Sequence, residues 1–211
     1  MAFLAMRALV FLLTFCSVCS LQGQKLVKKA LIGPRTASIH IDAQFCFQVD
    51  VSTSNKDEVE VIANIEGEYA KDLLVTIKEE GPTVLIGAGF QPNFDKPNDK
   101  LSAHKVISIA LHVSVPQYKE VHIYGTNSNV MVQGEYKKLD VKLADGRCVL
   151  DNVVETVDVT TQKGDILLST SMGNITAKSV YGKVYQDSIP EGHNQFILNT
   201  VEGNIRLQKT K

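Results

Sequence analysis

Gly146-Arg147-Cys148-Val149-Leu150 returns as Gly164-Asp165-Ile166-Leu167-Leu168, then as Gly182-Lys183-Val184-Tyr185-Gln186 and Gly203-Asn204-Ile205-Arg206-Leu207. The steps between the glycines are 18, 18 and 21 residues, and Ser128-Asn129-Val130 is a degenerate copy one 18-residue step earlier. The longer last step carries its extra residues beside Ile189-Pro190-Glu191-Gly192. A second column lies half a period away, at Val121, Leu139, Val157, Ile175 and Phe196. A fixed period of this size signals stacked coils of chain, because one short unit cannot bury its own apolar face and its neighbours must cover it.

The spacing inside each unit says what the coils are made of. Two residues after each first-column position comes Val132, Leu150, Leu168, Gln186 or Leu207, and the second column continues as Ile123, Val141, Val159, Ala177 and Leu198. Apolar residues at i and i+2 with polar residues between mark half-buried strands. Each unit therefore reads as two short strands joined by turns, with Gly bending the chain. The predicted interior ladder is Val130, Cys148, Ile166, Val184 and Ile205, with Asn129, Arg147, Asp165, Lys183 and Asn204 outside. The fold class is all-β: a parallel β-helix or solenoid-like stack of 18-residue coils over about 121–207, preceded by an antiparallel or mixed β region. The alternative is an antiparallel β-sandwich or meander, in which neighbouring strands run in opposite directions and need no match at 18 residues.

Upstream, Ile107, Ile109, Leu111, Val113 and Val115 alternate with polar or small residues until Pro116, which lacks the donor a sheet interior needs. This strand reads as the lead-in to the first coil. Before it, Gly87–Lys100 holds Gly, Pro, Asn and Asp and is predicted to be a loop or seam. Further strands are expected through Phe45, Phe47, Val49 and Val51, then Val59 and Val61, Leu73–Ile77 and Val84–Ile86, with Glu66–Lys71 the one hint of helix. At the far end, Gln208-Lys209-Thr210-Lys211 is expected to shield the open edge of the last coil.

Residues 1–23 have the form of a secretory signal: Arg7, an apolar run from Ala8 to Leu13, then small and polar residues. That run is shorter than the ~20 residues a membrane-crossing helix needs. The organisation expected is thus a 1–23 leader, an N-terminal β region over 24–100 and a β-repeat region over 101–211, the last two continuous with each other. The chain is expected to be exported, whether periplasmic, cell-surface or secreted, with no membrane span in the mature part. The formal net charge of −1 becomes −2 when Arg7 leaves with the leader. There is no basic stripe, which argues against nucleic acid as a partner. Cys46 and Cys148 remain, both in phase with apolar neighbours. They read as buried thiols, and a disulfide between them is the alternative an oxidising compartment allows.

Signals for catalysis are sparse. His40, His104, His112, His122 and His193 have no metal-ligand spacing, and no glycine-rich loop leads into a helix. No metal and no cofactor is expected. Asp145, Asp151, Asp158 and Asp165 fall on neighbouring coils and could pair, as in a polysaccharide-active enzyme, but the short turns leave no walls for a sugar cleft. Asn174-Ile175-Thr176 fits a glycosylation sequon and, equally, a Gly-Asn-Ile turn. The remaining candidate is an outward face rich in hydroxyls, comprising Thr160, Thr161, Ser169, Thr170, Thr176 and Lys178, suited to a glycan or a protein partner.

The proline-ended strand Ile107–Pro116, the short strand and turn Val121–Asn129, and the Gly-Asp-Ile and Gly-Asn-Ile turns at Gly164, Gly173 and Gly203 together resemble the putative-adhesin domains of bacterial cell envelopes, a domain family of unknown function. The resemblance covers roughly Phe45 to Leu207. It implies a β-helix-like fold and a surface-adhesive role, and it brings no catalytic residues. The reading is a non-catalytic cell-envelope or surface protein that binds or supports an assembly; the alternative is a small polysaccharide-active enzyme using paired carboxylates.

Overall fold

The computed structural model describes residues 24–33, 35–67, 69–94 and 107–210. The expected leader 1–23, residues 95–100 of the expected loop and His104 therefore lie outside the described residues. The described chain is all-β, apart from one turn of 3-10 helix at Ala70–Asp72. In chain order the strands are β1 (Gln24–Leu31), β2 (Ser38–Asp42), β3 (Gln48–Ser54), β4 (Glu58–Gly67), β5 (Leu73–Glu80), β6 (Thr83–Phe90) and β7 (Ile107–Pro116). They continue as β8 (Glu120–Asn127), β9 (Asn129–Asp145), β10 (Cys148–Lys163), β11 (Ile166–Thr170), β12 (Asn174–Ser179), β13 (Val184–Gln186), β14 (Gln195–Glu202) and β15 (Ile205–Lys209).

All 15 strands belong to one mixed sheet that folds into two faces around a common core. The first face runs β1-β4-β7-β3-β9-β10-β11-β15-β13. The second runs β5-β6-β2-β8, then the later halves of β9 and β10, then β14 and β12. β9 and β10 are long because each bends from one face to the other. The bends lie at Gly134 (φ 112°) in β9 and between Asn152 (φ 49°) and Glu155 (φ 78°) in β10, where the register slips. Tyr136 fills the β9 corner, fully buried, and its hydroxyl donates to Gln133 O at 2.9 Å.

Among the described residues, antiparallel pairs occur only at the N-terminal end, as β1–β4, β4–β7 and β5–β6. Every pairing among Glu120–Lys209 is parallel. Val130 pairs with Cys148 and Cys148 with Ile166, each an 18-residue step. The last two rows differ from the expected order. Ile166 is adjacent to Ile205 rather than Val184, and Val184 lies beyond Ile205. The second column does the same, with Val157 beside Phe196 and Ile175 beyond it. The chain leaves β11, skips a row to lay down β12 and β13, then returns to fill the gap with β14 and β15.

Side-chain size explains the exchange. The inserted row points Phe196, Leu198, Ile205 and Leu207 inward, and all four are buried. The outer row offers Ile175, Ala177, Val184 and Gln186, of which Val184 and Gln186 are exposed. Fully burying a Phe or Leu side chain is worth ~1.5–3 kcal/mol, so the row with the larger apolar groups occupies the position covered on both sides. Gln186, the polar break in its column, faces the open end. That end is β12 and β13, so residues 208–210 of the basic tail do not shield it: Lys209 pairs with Thr170 instead, one row in from the edge.

The N-terminal strands extend the same columns. β2 and β3 sit between the β6–β7 row and the β8–β9 row, with Ile39 against Val84 and Val121, and Val49 against Leu111 and Val130. Gly87–Phe90, expected within a loop, complete β6 and pair with β5, and Gly87 also pairs with Asp42 of β2. The inward alternation at Val84 and Ile86 continues through Ala88, which is also buried.

Candidate functional site

The outer surface of the second face gathers polar side chains in two ladders. One runs His40, His122, Asp140, Asp158, Ile197 and Thr176 across six strands; the next runs Asp42, Tyr124, Lys142, Thr160, Asn199 and Lys178. In-register parallel strands force this arrangement, since like positions in successive strands stand side by side. Three of the sequence-predicted residues, Thr160, Thr176 and Lys178, come together here, all exposed.

The other three do not join them. Thr161 and Thr170 are buried, continuing the inward alternation of Val157 and Val159 and of Ile166 and Leu168. Their hydroxyls satisfy turns: those of Thr161 and Thr200 lie 2.8 Å apart and reach Gly164 O at 3.1 and 3.2 Å, and Thr170 donates to Met172 O at 3.0 Å. Ser169 belongs to the first face, between Asp151 and Gln208.

Around Tyr124 the second face carries a shallow depression of about 400 Å³, lined by Asp42, Gln44, Tyr124, Lys142, Thr160 and Gln162. Tyr124 is 40% exposed. Its ring lies parallel to that of His122 at 6.5 Å, and His122 meets His40 edge-on at 4.7 Å. Lys142 Nζ is 5.9 Å from the Tyr124 ring centre and 3.3 Å from Asp140 Oδ2. The hydrogen bond that the Lys142 ammonium donates to Asp140, and then the charge of that carboxylate, hold Lys142 above the usual lysine range. His122 Nδ1 lies 3.6 Å from the same carboxylate oxygen. Burial, reinforced by the neighbouring His122, pushes the His40 imidazole below its ordinary value. The result is a flat shelf with one aromatic ring, one ammonium, a carboxylate and several hydroxyl and amide groups. Tyr124, Lys142 and Thr160 are 18 residues apart, so the repeat, applied to outward positions, contains this site.

A second depression, about 390 Å³, lies on the first face between Asp50, Glu60, His112 and Met131. Its carboxylates are already engaged, His112 Nδ1 lying 3.0 Å from Asp50 Oδ2 and Lys29 Nζ 3.1 Å from Glu60 Oε1, and no Phe, Tyr or Trp lines it. The carboxylates weighed for catalysis are spread out and bound to turns. Asp145 accepts the Gly146 N–H at 2.6 Å, Asp165 accepts the Asn204 N–H at 2.8 Å, and Asp151 accepts from Asn152 Nδ2 at 3.1 Å. Asp158 stands on the second face beside Asp140. Among the described residues no group of three or more His, Cys, Asp and Glu is placed to hold a metal ion. Among them, too, no helix is long and apolar enough to cross a membrane.

Cys46 and Cys148 are free thiols, both buried. Burial pushes each up to about 12, with the charge of Asp42 adding to the effect at Cys46. The thiolate is the reactive form, so neither sulfur should react in the folded protein. In a timed alkylation with iodoacetamide at pH 8, the native chain is expected to stay unlabelled at both positions and to label fully in denaturant. Rapid native labelling of Cys148 would contradict its place in the core.

No family model matches the sequence, and no curated protein matches it. Among solved structures, the chain is similar to a putative cell adhesion protein from Clostridium sporogenes, at 15% identity over 90% of this chain and 100% of that one, with a TM-score of 0.59. It is also similar to a putative adhesin from Bacteroides fragilis, at 12% identity over 90% and 99% of the two chains, with a TM-score of 0.41. At such identities the likeness is one of fold: this chain shares its all-β architecture with the Clostridium sporogenes protein along nearly its whole described length.

Proposed function

We propose that this chain is an exported, non-catalytic surface module that binds a glycan through the Tyr124 shelf. The observation that carries the reading is an exposed aromatic ring set in a flat polar surface rather than in a cleft. An aromatic face packs against the C–H groups of a sugar, while Asp42, Gln44, Lys142, Thr160 and Gln162 offer donors and acceptors for its hydroxyls. Thr176 and Lys178 extend the same surface. In this reading the rows act as coils of a β-solenoid, the 24–100 and 101–211 segments work as one unit, and residues 1–23 direct export. The role that the name of the Clostridium sporogenes protein suggests, cell adhesion, supports a surface function.

Binding of the purified chain to an array of immobilised surface glycans tests the proposal. Tyr124→Ala is expected to weaken binding to the retained glycans by about tenfold, the loss of a contact worth ~1.4 kcal/mol, with an unchanged melting temperature. Ser169→Ala, on the other face, should leave binding intact. Turnover of a polysaccharide that disappears in Asp165→Asn would overturn the non-catalytic reading, and absence of any glycan binding would overturn the choice of ligand.

A further inference from the structure

Among the described residues, nothing covers β12 and β13 at the end of the stack. Val184 belongs to an inward column, yet it is 41% exposed, while Ile205 and Ile166 in that column are fully buried. Tyr181 and Tyr185 beside it are 79% and 50% exposed. The backbone is open as well. Lys183 O accepts the Ile205 N–H at 2.9 Å and the Asp187 N–H donates to Leu207 O at 3.0 Å, so the odd-numbered residues of β13 bond to β15. Alternate residues of a strand turn their backbone groups to opposite sides, which leaves the N–H and C=O of Val184 and Gln186 facing outward. On β12, Asn174 and Val180 donate inward to Asn194 O and Thr200 O, so Ile175, Ala177 and Ser179 face the same open edge.

We propose that this edge is the contact of a twofold dimer, in which β13 pairs with β13 of a second copy of this chain, centred on Tyr185. A twofold axis reverses the strand, so the pairing is antiparallel. With Tyr185 on the axis, Val184 stands opposite Gln186 of the partner subunit, and these are the residues whose backbone groups face outward. They form the hydrogen-bonded pairs of an antiparallel ladder, and the two Tyr185 rings meet at the close, non-bonded position between them.

The same register sets Lys183 against Asp187 of the partner subunit, and the reverse, on the outer surface. The segment Lys183-Val184-Tyr185-Gln186-Asp187 is thus complementary to itself when reversed, cation to anion. Such self-complementarity is what an isologous contact requires, and it selects a second copy over an unrelated strand. Val184 is then covered by the aliphatic stem of the partner's Gln186, whose amide stays at the rim.

Sedimentation velocity of the purified chain, from about 1 µM to about 200 µM, tests the dimer. A concentration-dependent monomer–dimer equilibrium is expected. Gln186→Pro removes an outward N–H that makes no bond within the chain, and should weaken the dimer by at least about tenfold while the monomer keeps its melting temperature. Lys183→Asp places like charges opposite each other and should weaken it to a similar degree. Adding Asp187→Lys to that variant should restore association to within about threefold of the parent. A chain that stays monomeric throughout the range overturns the proposal. So does a dimer indifferent to Gln186→Pro, or one that the paired charge reversal fails to restore.

Discussion

Gly164→Ala is expected to destabilise the fold by about 3 kcal/mol or more, lowering the melting temperature by about 6–12 °C for a chain of this size. Two causes combine. Gly164 has φ 141°, which side chains rarely adopt, and a Cβ there would lie 1.8 Å from Gly146 O, a backbone atom that cannot swing aside. The next row presses from the other side, since a Cβ on Gly203 would lie 2.1 Å from Gly164 O. The turns are therefore stacked so closely that a methyl group in one must push the neighbouring rows apart. Gly81→Ala separates the two causes. Gly81 has φ 62° and nothing within 4 Å of where a Cβ would lie, so it should show the backbone strain alone, ~1–2 kcal/mol. Thermal melts of the two variants that differ by less than a couple of degrees would mean the turns are not in contact as described.

That stacking was legible in the sequence because a tight turn repeated at constant spacing leaves glycine at each return. The inward columns were legible for the same reason: Val121, Leu139 and Val157 stand side by side in 18-residue steps, as do Val130, Cys148 and Ile166. The order of the last rows was not. A period counts residues along the chain, and it is the same whether a row is laid down next to its predecessor or one place further on. The information lay in side-chain volume instead, in Phe196 and Leu207 against Ala177 and Gln186. The insertion of β2 and β3 between later strands was hidden because that part of the chain has no repeat to align. Only burial of Ile39 and Val49 from both sides reveals it.

At the candidate site, parity along the strand outweighs residue type. Thr161 and Thr170 carry hydroxyls, yet each continues an inward alternation, and a threonine can occupy the core where a turn carbonyl accepts a hydrogen bond from its hydroxyl. Their burial removes them from any contact surface. Tyr124 and Lys142 leave no mark in the apolar columns of the repeat, because they face outward. Outward residues obey the same 18-residue step, so Tyr124, Lys142 and Thr160 are as predictable as the core they stand on. What the period does not supply is the charge relation among neighbouring ladders, such as Lys142 to Asp140, which depends on which side chains lean together.

Phe196→Ala should cost about 3–5 kcal/mol, as expected for removing a buried ring from a core that cannot fully collapse. Phe196 is 1% exposed and lies between Val157 and Ile175 in the second column. Its ring also abuts the crossing segment, since a Cβ on Gly173 would lie 2.6 Å from it. The loss should be uneven. Among the described residues β12 pairs only with β14, so amide exchange across Asn174–Ser179 should speed up more than across β10, which β9 still supports. A double-mutant cycle then reads the row order directly. Phe196 and Ile175, being neighbours, should couple by about 0.5–3 kcal/mol, while Val157 and Ile175, with a full row between them, should add within about 0.5 kcal/mol. If Val157 couples to Ile175 and Phe196 does not, the rows follow sequence order, and the exposed edge lies at β15 instead of β13.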